Sequence, residues 1–279
     1  MWGTKLFVSR IIGGSCMSAQ HFNEAYKENL ASIDKKFKLM LDMVGLAAEH
    51  AINGLIIDGA PGIGKSFSIA DFLKENYIKN HPNPIVPTWS SGHITPLQTF
   101  NLLGEHNTIS DLLVFDDCDG VFQEQTSMNV LKAATEMRAK RVVSWNTAFR
   151  GAKFESYQFD SSVIIITNAS CNSVHFKALT DRFHMVSMDV TNMEKLAKIF
   201  SVATQNDYCD TQTGFEIAYW LYQEKDNIDY MSIRTFVKIA QLAKHRPETW
   251  RDLAQMTIID PMKKSAAASA SNIKNIGRK

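Results

Sequence analysis

Between Leu55 and Thr167, short apolar runs of strand length alternate with stretches whose apolar residues recur every three or four positions. Leu55-Ile56-Ile57 is the first run. A glycine-rich turn follows, then a helical pattern over Lys65–Tyr77. Pro84–Trp89 reads as a second strand, Thr95–Leu103 as a helix, Asp111–Phe115 as a third strand and Met128–Met137 as a helix. Ser162–Thr167 is a β-branched strand. A strand covered on both faces shows an unbroken apolar run, whereas a helix lying on a sheet shows a stripe of period 3.6. The alternation predicts an α/β fold, a parallel sheet sandwiched by helices.

The two ends of the chain differ from this middle. Residues 1–36 are mixed, with Gly13-Gly14 as a break and Phe22–Leu30 as a short helix, and form an N-terminal extension. Phe37–Ala51 carries a helical pattern that Gly54 stops, so the α/β domain is expected over 37–190. Beyond Val190 only helical stripes remain: Met193, Leu196, Ile199, Phe200 and Ala203, then Phe215, Ala218, Leu221 and Tyr222, then Ile233, Phe236, Val237, Ala240 and Ala243. Trp250 and Leu253 suggest a fourth short helix. Residues 191–260 therefore read as a small all-helical lid, and the Ser/Ala-rich segment 261–279 as a disordered tail.

Composition narrows the function classes. The chain has 279 residues, 45% hydrophobic and 21% charged, with a net charge of +1. Any nucleic-acid surface must therefore be local rather than a property of the whole molecule. Cys16, Cys118, Cys171 and Cys209 are scattered and form no C-x-x-C pair, which argues against a metal cluster or disulfide framework and for reduced thiols. No apolar run reaches the ~18 residues of a membrane span, and residues 1–17 lack the pattern of a secretory signal. A cytoplasmic protein without membrane partners is expected.

Gly59-Ala60-Pro61-Gly62-Ile63-Gly64-Lys65-Ser66 matches G-x-x-x-x-G-K-[ST] between an apolar strand and an amphipathic helix. Glycines allow successive backbone N–H groups to curve around phosphate oxygens, and the helix N-terminus adds positive potential. Lys65 is placed to contact the β and γ phosphates, and the Ser66 hydroxyl to ligate Mg²⁺. Leu112–Phe115 ends in Asp116-Asp117, and strand ends of this kind border the ligand crevice of a parallel sheet. Asp116 is the candidate to hold the metal, and Asp117 to orient and polarise the attacking water.

Together with three later segments, these motifs resemble the AAA+ ATPases over roughly residues 37–258, and are most similar to those encoded by phages and plasmids. Val163–Asn168 resembles the family's sensor-1 strand, which implies that Asn168 bonds the γ-phosphate. Ala178–Phe183 resembles the arginine-finger segment, so Arg182 would enter a neighbouring subunit's site. Ser232-Ile233-Arg234-Thr235 resembles sensor 2, with Arg234 touching phosphate within its own chain. The resemblance implies ATP and Mg²⁺ as ligands and a homo-oligomeric ring, a hexamer by family habit. The family usually has Glu where this chain has Asp117, so either Asp117 works at closer range, Asp119 or Glu124 takes its place, or hydrolysis is slow. No guanine-reading Asn-Lys-x-Asp sequence is present.

Arg141–Trp145 and Phe154–Phe159 are rich in β-formers and flank Phe149, Arg150 and Lys153, the pattern of a hairpin and its tip. In related helicases and branch-migration motors such a hairpin enters the ring pore. There the cations would neutralise phosphates while Phe149 stacks on bases. A sheet extension or a subunit contact fits the same residues, and Ser90–Ile94 is a second pore-loop candidate. The favoured reading is an ATP-driven ring motor acting on nucleic acid. A motor acting on a protein substrate or through an adaptor, and a slowly hydrolysing ATP-gated scaffold, are the alternatives.

Overall fold

The computed structural model describes residues 16–79, 81–122, 124–146, 151–168, 177, 179–205, 207–228 and 231–261. The chain divides into two compact units, one spanning Lys36–Asp189 and the other formed by residues up to Lys35 together with those from Val190 onward.

In the first unit, β1 (Gly54–Gly59), β2 (Val86–Ser91), β3 (Asp111–Asp116), β6 (Ser162–Thr167) and β7 (His184–Met188) form a five-stranded sheet in the order β2-β3-β6-β1-β7. Every pairing is parallel. The apolar runs read from the sequence as β1, β3 and β6 occupy its three central positions, and β6 is buried along its whole length. Between the strands lie α2 (Lys65–Leu73, continued by a wider turn over Lys74–Ile78), α3 (Pro96–Glu105) and α4 (Gln125–Ala134). Thr95 begins α3 with a reciprocal cap in which its hydroxyl and the Gln98 side chain each satisfy the other's backbone N–H. Phe100, Leu103, Phe115, Leu131, Phe159 and Ile165 meet in the core on one side of the sheet.

β4 (Val142–Ser144) and β5 (Ser156–Gln158) make the expected antiparallel hairpin, with Val143 opposite Tyr157. Arg141 at its base is buried. Its Nη1 donates to the carbonyls of Ala134 (3.1 Å) and Ser161 (3.0 Å), and its guanidinium lies 5.4 Å from the Phe159 ring centroid. One cation therefore satisfies the end of α4 and the approach to β6.

β7 is absent from the sequence-based expectation. It is an edge strand with His184 and Met185 exposed, so it lacks the continuous apolar run that marks the inner strands. The N-terminal reading also changes: α1 runs unbroken over Cys16–Ala48 in place of two separate helices. Residues 16–35 group with the helical unit instead of standing apart as an extension. Of the second pore-loop candidate, Ser90 and Ser91 belong to β2 and Ile94 is buried, which leaves Gly92 and His93 as an exposed link.

The helical unit contains α5 (Asn192–Ala203), α6 (Thr211–Gln223), α7 (Ile233–His245) and α8 (Trp250–Ala254), which continues as a wider turn over Gln255–Ile259. The predicted stripes face inward, with Leu196, Ile199, Ala218, Leu221, Phe236 and Ala240 buried. Thr191 and Glu194 form a reciprocal cap at the start of α5, and the buried Glu194 also accepts from the Ser32 hydroxyl at 2.6 Å. No helix among the described residues is long and apolar enough to cross a membrane.

Candidate functional site

The C-terminal ends of β1, β3 and β6 lie side by side, because Leu55 pairs with Ile164 and Val114 with the same residue. Three motifs distant in sequence thus converge at one edge of the sheet. Gly59-Ala60-Pro61-Gly62-Ile63-Gly64 leaves β1 as the loop and turns into α2 at Lys65. Gly64 caps α2 at φ 97°, a left-handed conformation that favours glycine. At Gly59, any Cβ would lie 2.7 Å from the Met188 carbonyl oxygen, so β7 can approach the loop only because no side chain is present.

Lys65 is 5% exposed. Its ammonium donates to the carbonyls of Gly59 (2.6 Å) and Ala60 (3.1 Å) and to Asn168 Oδ1 (2.8 Å). The Asn168 amide nitrogen in turn donates to Asp117 Oδ1 at 2.5 Å. A single side-chain amide therefore links the lysine of the loop to the carboxylate after β3. Asp117 sits at φ 54°, one of two residues other than glycine with positive φ among the described residues, and its N–H donates to Ile166 O at 3.0 Å. Such a conformation costs a non-glycine residue free energy, and Asp bears it better than most because its short side chain can bond locally. Here the bond goes to Asn168.

Ser66 Oγ donates to Asp116 Oδ1 at 2.9 Å. A hydroxyl beside a carboxylate suits Mg²⁺, which keeps several waters and takes one or two carboxylates from protein. Among the described residues, no cluster of three or more His, Cys, Asp or Glu stands ready for a metal held by protein alone. Of the alternative bases, Asp119 accepts from the Thr167 hydroxyl at 2.7 Å, and Glu124 precedes α4 with its side chain exposed. Cys118 is buried and donates to Ser90 O at 3.2 Å; burial pushes its thiol pKa up, so it is a packing residue.

The motifs gathered here are those on which the resemblance to the AAA+ ATPases rests. A protein of Enterobacteria phage T4, described as an uncharacterized 36.7 kDa protein in the nrdC-mobD intergenic region, is 25% identical over 259 residues, covering 85% of this chain and 78% of its own. No family model matches. Among solved structures, a DNA replication initiation factor is 14% identical with a TM-score of 0.44 and covers 75% of this chain. Drosophila ORC bound to DNA is 11% identical with a TM-score of 0.46 and covers 84%. The chain spans 61% and 65% of those two chains, less than two thirds of either.

Arg182 and Arg234 stand at other elements. Arg182 precedes β7, at the end of the sheet opposite the loop, since His184 pairs with Leu55 and Met188 with Gly59. Roughly 13 Å of strand separates the two ends. Its guanidinium Nε is 3.5 Å from Glu136 Oε2, and the Asn53 side chain donates to the Glu136 carbonyl. Arg234 is exposed near the start of α7 in the helical unit. Phe149 and Arg150 fall outside the described residues. Lys153 is paired with Glu105, and its N–H donates to Asn101 Oδ1 at 2.9 Å, which ties this side of the hairpin connection to α3. Sequence reasoning missed Glu136. Nothing in its surroundings marks it, because its partner is brought close only by the fold.

Proposed function

We propose that the chain binds MgATP at the loop Gly59–Ser66 and hydrolyses it in a homo-oligomeric ring, with nucleic acid as the substrate on which the ring works. The observation that carries this reading is the linked set Lys65–Asn168–Asp117 beside Ser66–Asp116, all at one sheet edge. Entry of a triphosphate would exchange the carbonyl and amide partners of Lys65 for β and γ oxygens. Ser66 and Asp116 would hold Mg²⁺, which supplies charge neutralisation across the phosphates. Asn168, released from Lys65, would bond the γ-phosphate while keeping Asp117 directed at the attacking water.

Arg182 lies too far from its own loop to reach the same phosphate, which supports a role in a neighbouring copy's site. There it would stabilise charge developing on the transferred group, a contribution worth ~10³–10⁵ in rate in other P-loop enzymes. Mixing tests this directly. Lys65→Ala protein, unable to bind nucleotide, and Arg182→Ala protein, binding but inactive, should each lack turnover, and their mixture should regain part of it. A fully active Arg182→Ala protein rejects the finger. Wild-type protein that does not bind adenine nucleotide with magnesium rejects the whole reading.

One observation favours a second reading, a nucleotide-gated scaffold. Asp117 is short and its carboxylate is already engaged by Asn168 at 2.5 Å. Single-turnover hydrolysis by assembled protein decides between the two, since a scaffold would retain ATP for many minutes.

A further inference from the structure

The charge of this chain is unevenly distributed. From Ile233 to the C-terminus there are ten Lys and Arg against three Asp and Glu, a net +7 in a chain whose total is +1, so the first 232 residues carry −6. Such asymmetry between segments is a signature of contact with a polyanion. The described part of the basic segment centres on α7, which has no acidic residue along its length.

Arg234, Lys238, Gln241, Lys244 and His245 are exposed, whereas Phe236, Ile239, Ala240 and Ala243 are buried on the other side of the helix. Arg234, Lys238, Gln241 and His245 follow the i, i+4, i+7, i+11 spacing of one face, with Lys244 at its flank, and span about 16 Å. Neither Lys238 nor Lys244 has an ion-pair partner among the described residues. The loop after α7 adds Arg246, also exposed.

We propose that the exposed face of α7 docks on the phosphate backbone of duplex DNA, with Lys238 and Lys244 as contacts. A membrane surface is the wrong partner, because an interfacial helix needs an apolar face to insert, and that of α7 is committed to the core. Single-stranded DNA is disfavoured because the exposed face offers no Phe, Tyr or Trp ring on which a base could stack. Duplex DNA presents one negative charge per about 1.7 Å and rewards a straight row of cations by releasing counterions. The proposal rests on the nucleic-acid reading above and assigns that contact to an element other than the β4–β5 hairpin.

The test is fluorescence anisotropy of a labelled duplex titrated with the full-length chain between 50 and 200 mM salt. Lys238→Glu with Lys244→Glu should weaken binding at least about tenfold and flatten the log–log salt slope by about 2. Lys238→Arg with Lys244→Arg should restore both. Lys238→Gln with Lys244→Gln gives the same direction should charge reversal disturb folding. Unchanged affinity and slope in the Glu and Gln variants overturn the proposal. So does a wild-type chain that prefers polyglutamate to duplex. A fluorescent ATP analogue titrated into the same samples separates the two ideas: nucleotide bound without duplex rejects the α7 surface alone, and duplex bound without nucleotide rejects the ATPase alone.

Discussion

Asn168 touches both Lys65, proposed to meet phosphate, and Asp117, proposed to orient the water, so its removal should not act independently of Asp117. The perturbations are Asn168→Ala, Asp117→Asn and the two combined. An N–H donated to a carboxylate at 2.5 Å is a charge-assisted bond, a class worth about 1.5–3 kcal/mol. Losing a preorganised donor at a developing anion costs about 10²–10³ in kcat, and losing a general base about 10²–10⁴. Were the residues independent, the double variant would fall by the product of the single losses. Because one directs the other, the double should retain about 10- to 100-fold more activity than that product, the bond energy expressed as rate. ATP affinity of Asn168→Ala should stay within a few-fold, since Lys65, Ser66 and the backbone N–H groups of the loop would still hold the phosphates and the metal. Single-turnover phosphate release, with nucleotide binding measured separately, provides all the values. Single losses that multiply to within about threefold of the double would refute the idea that Asn168 positions Asp117.

Two further outcomes follow from the same unit. Arg141→Met should lower stability by about 2–4 kcal/mol in urea titrations, because the Ala134 and Ser161 carbonyls lose their shared donor. An equally stable variant would show that solvent reaches those carbonyls. His50 bonds Ser162 Oγ and Ile109 O, and burial, its largest influence, lowers its pKa below the ordinary imidazole value. The folded state therefore favours the neutral ring. The stabilisation is complete above the unfolded pKa of about 6.5 and is lost as pH falls below it towards the folded value. Thermal unfolding between pH 7.5 and 5.5 should show this decline, and His50→Asn, which tolerates the φ of 56°, should flatten it. An unchanged slope would assign the effect to another group.

The loop was legible because its chemistry constrains the backbone: glycines are required where the chain curves, and the flanking strand and helix each carry their own period. The sheet centre was legible for the same reason, since β1, β3 and β6 are covered on both faces. β7 was not, because an edge strand facing solvent has no obligation to be apolar. The Asp117–Asn168 contact joins residues 51 apart and exists because β3 and β6 are neighbours, a pairing that no local pattern encodes. Arg141 looked like an ordinary strand residue of the hairpin. Its burial depends on where α4 ends. Lys153 looked like a free cation at a hairpin tip, and its tie to Glu105 depends on α3 lying alongside.

All five strands of the sheet point the same way, so one end carries the phosphate loop and the other carries Arg182. In the proposed ring, where each copy's Arg182 would serve the next copy's loop head to tail, the assembly closes only if the rotation per step returns to its start. Any unclosed row of such subunits would leave one loop at its terminus with no arginine to complete it. Under that reading, full use of every site would be a property of the closed circle, and loss of a single member would silence a neighbour along with itself.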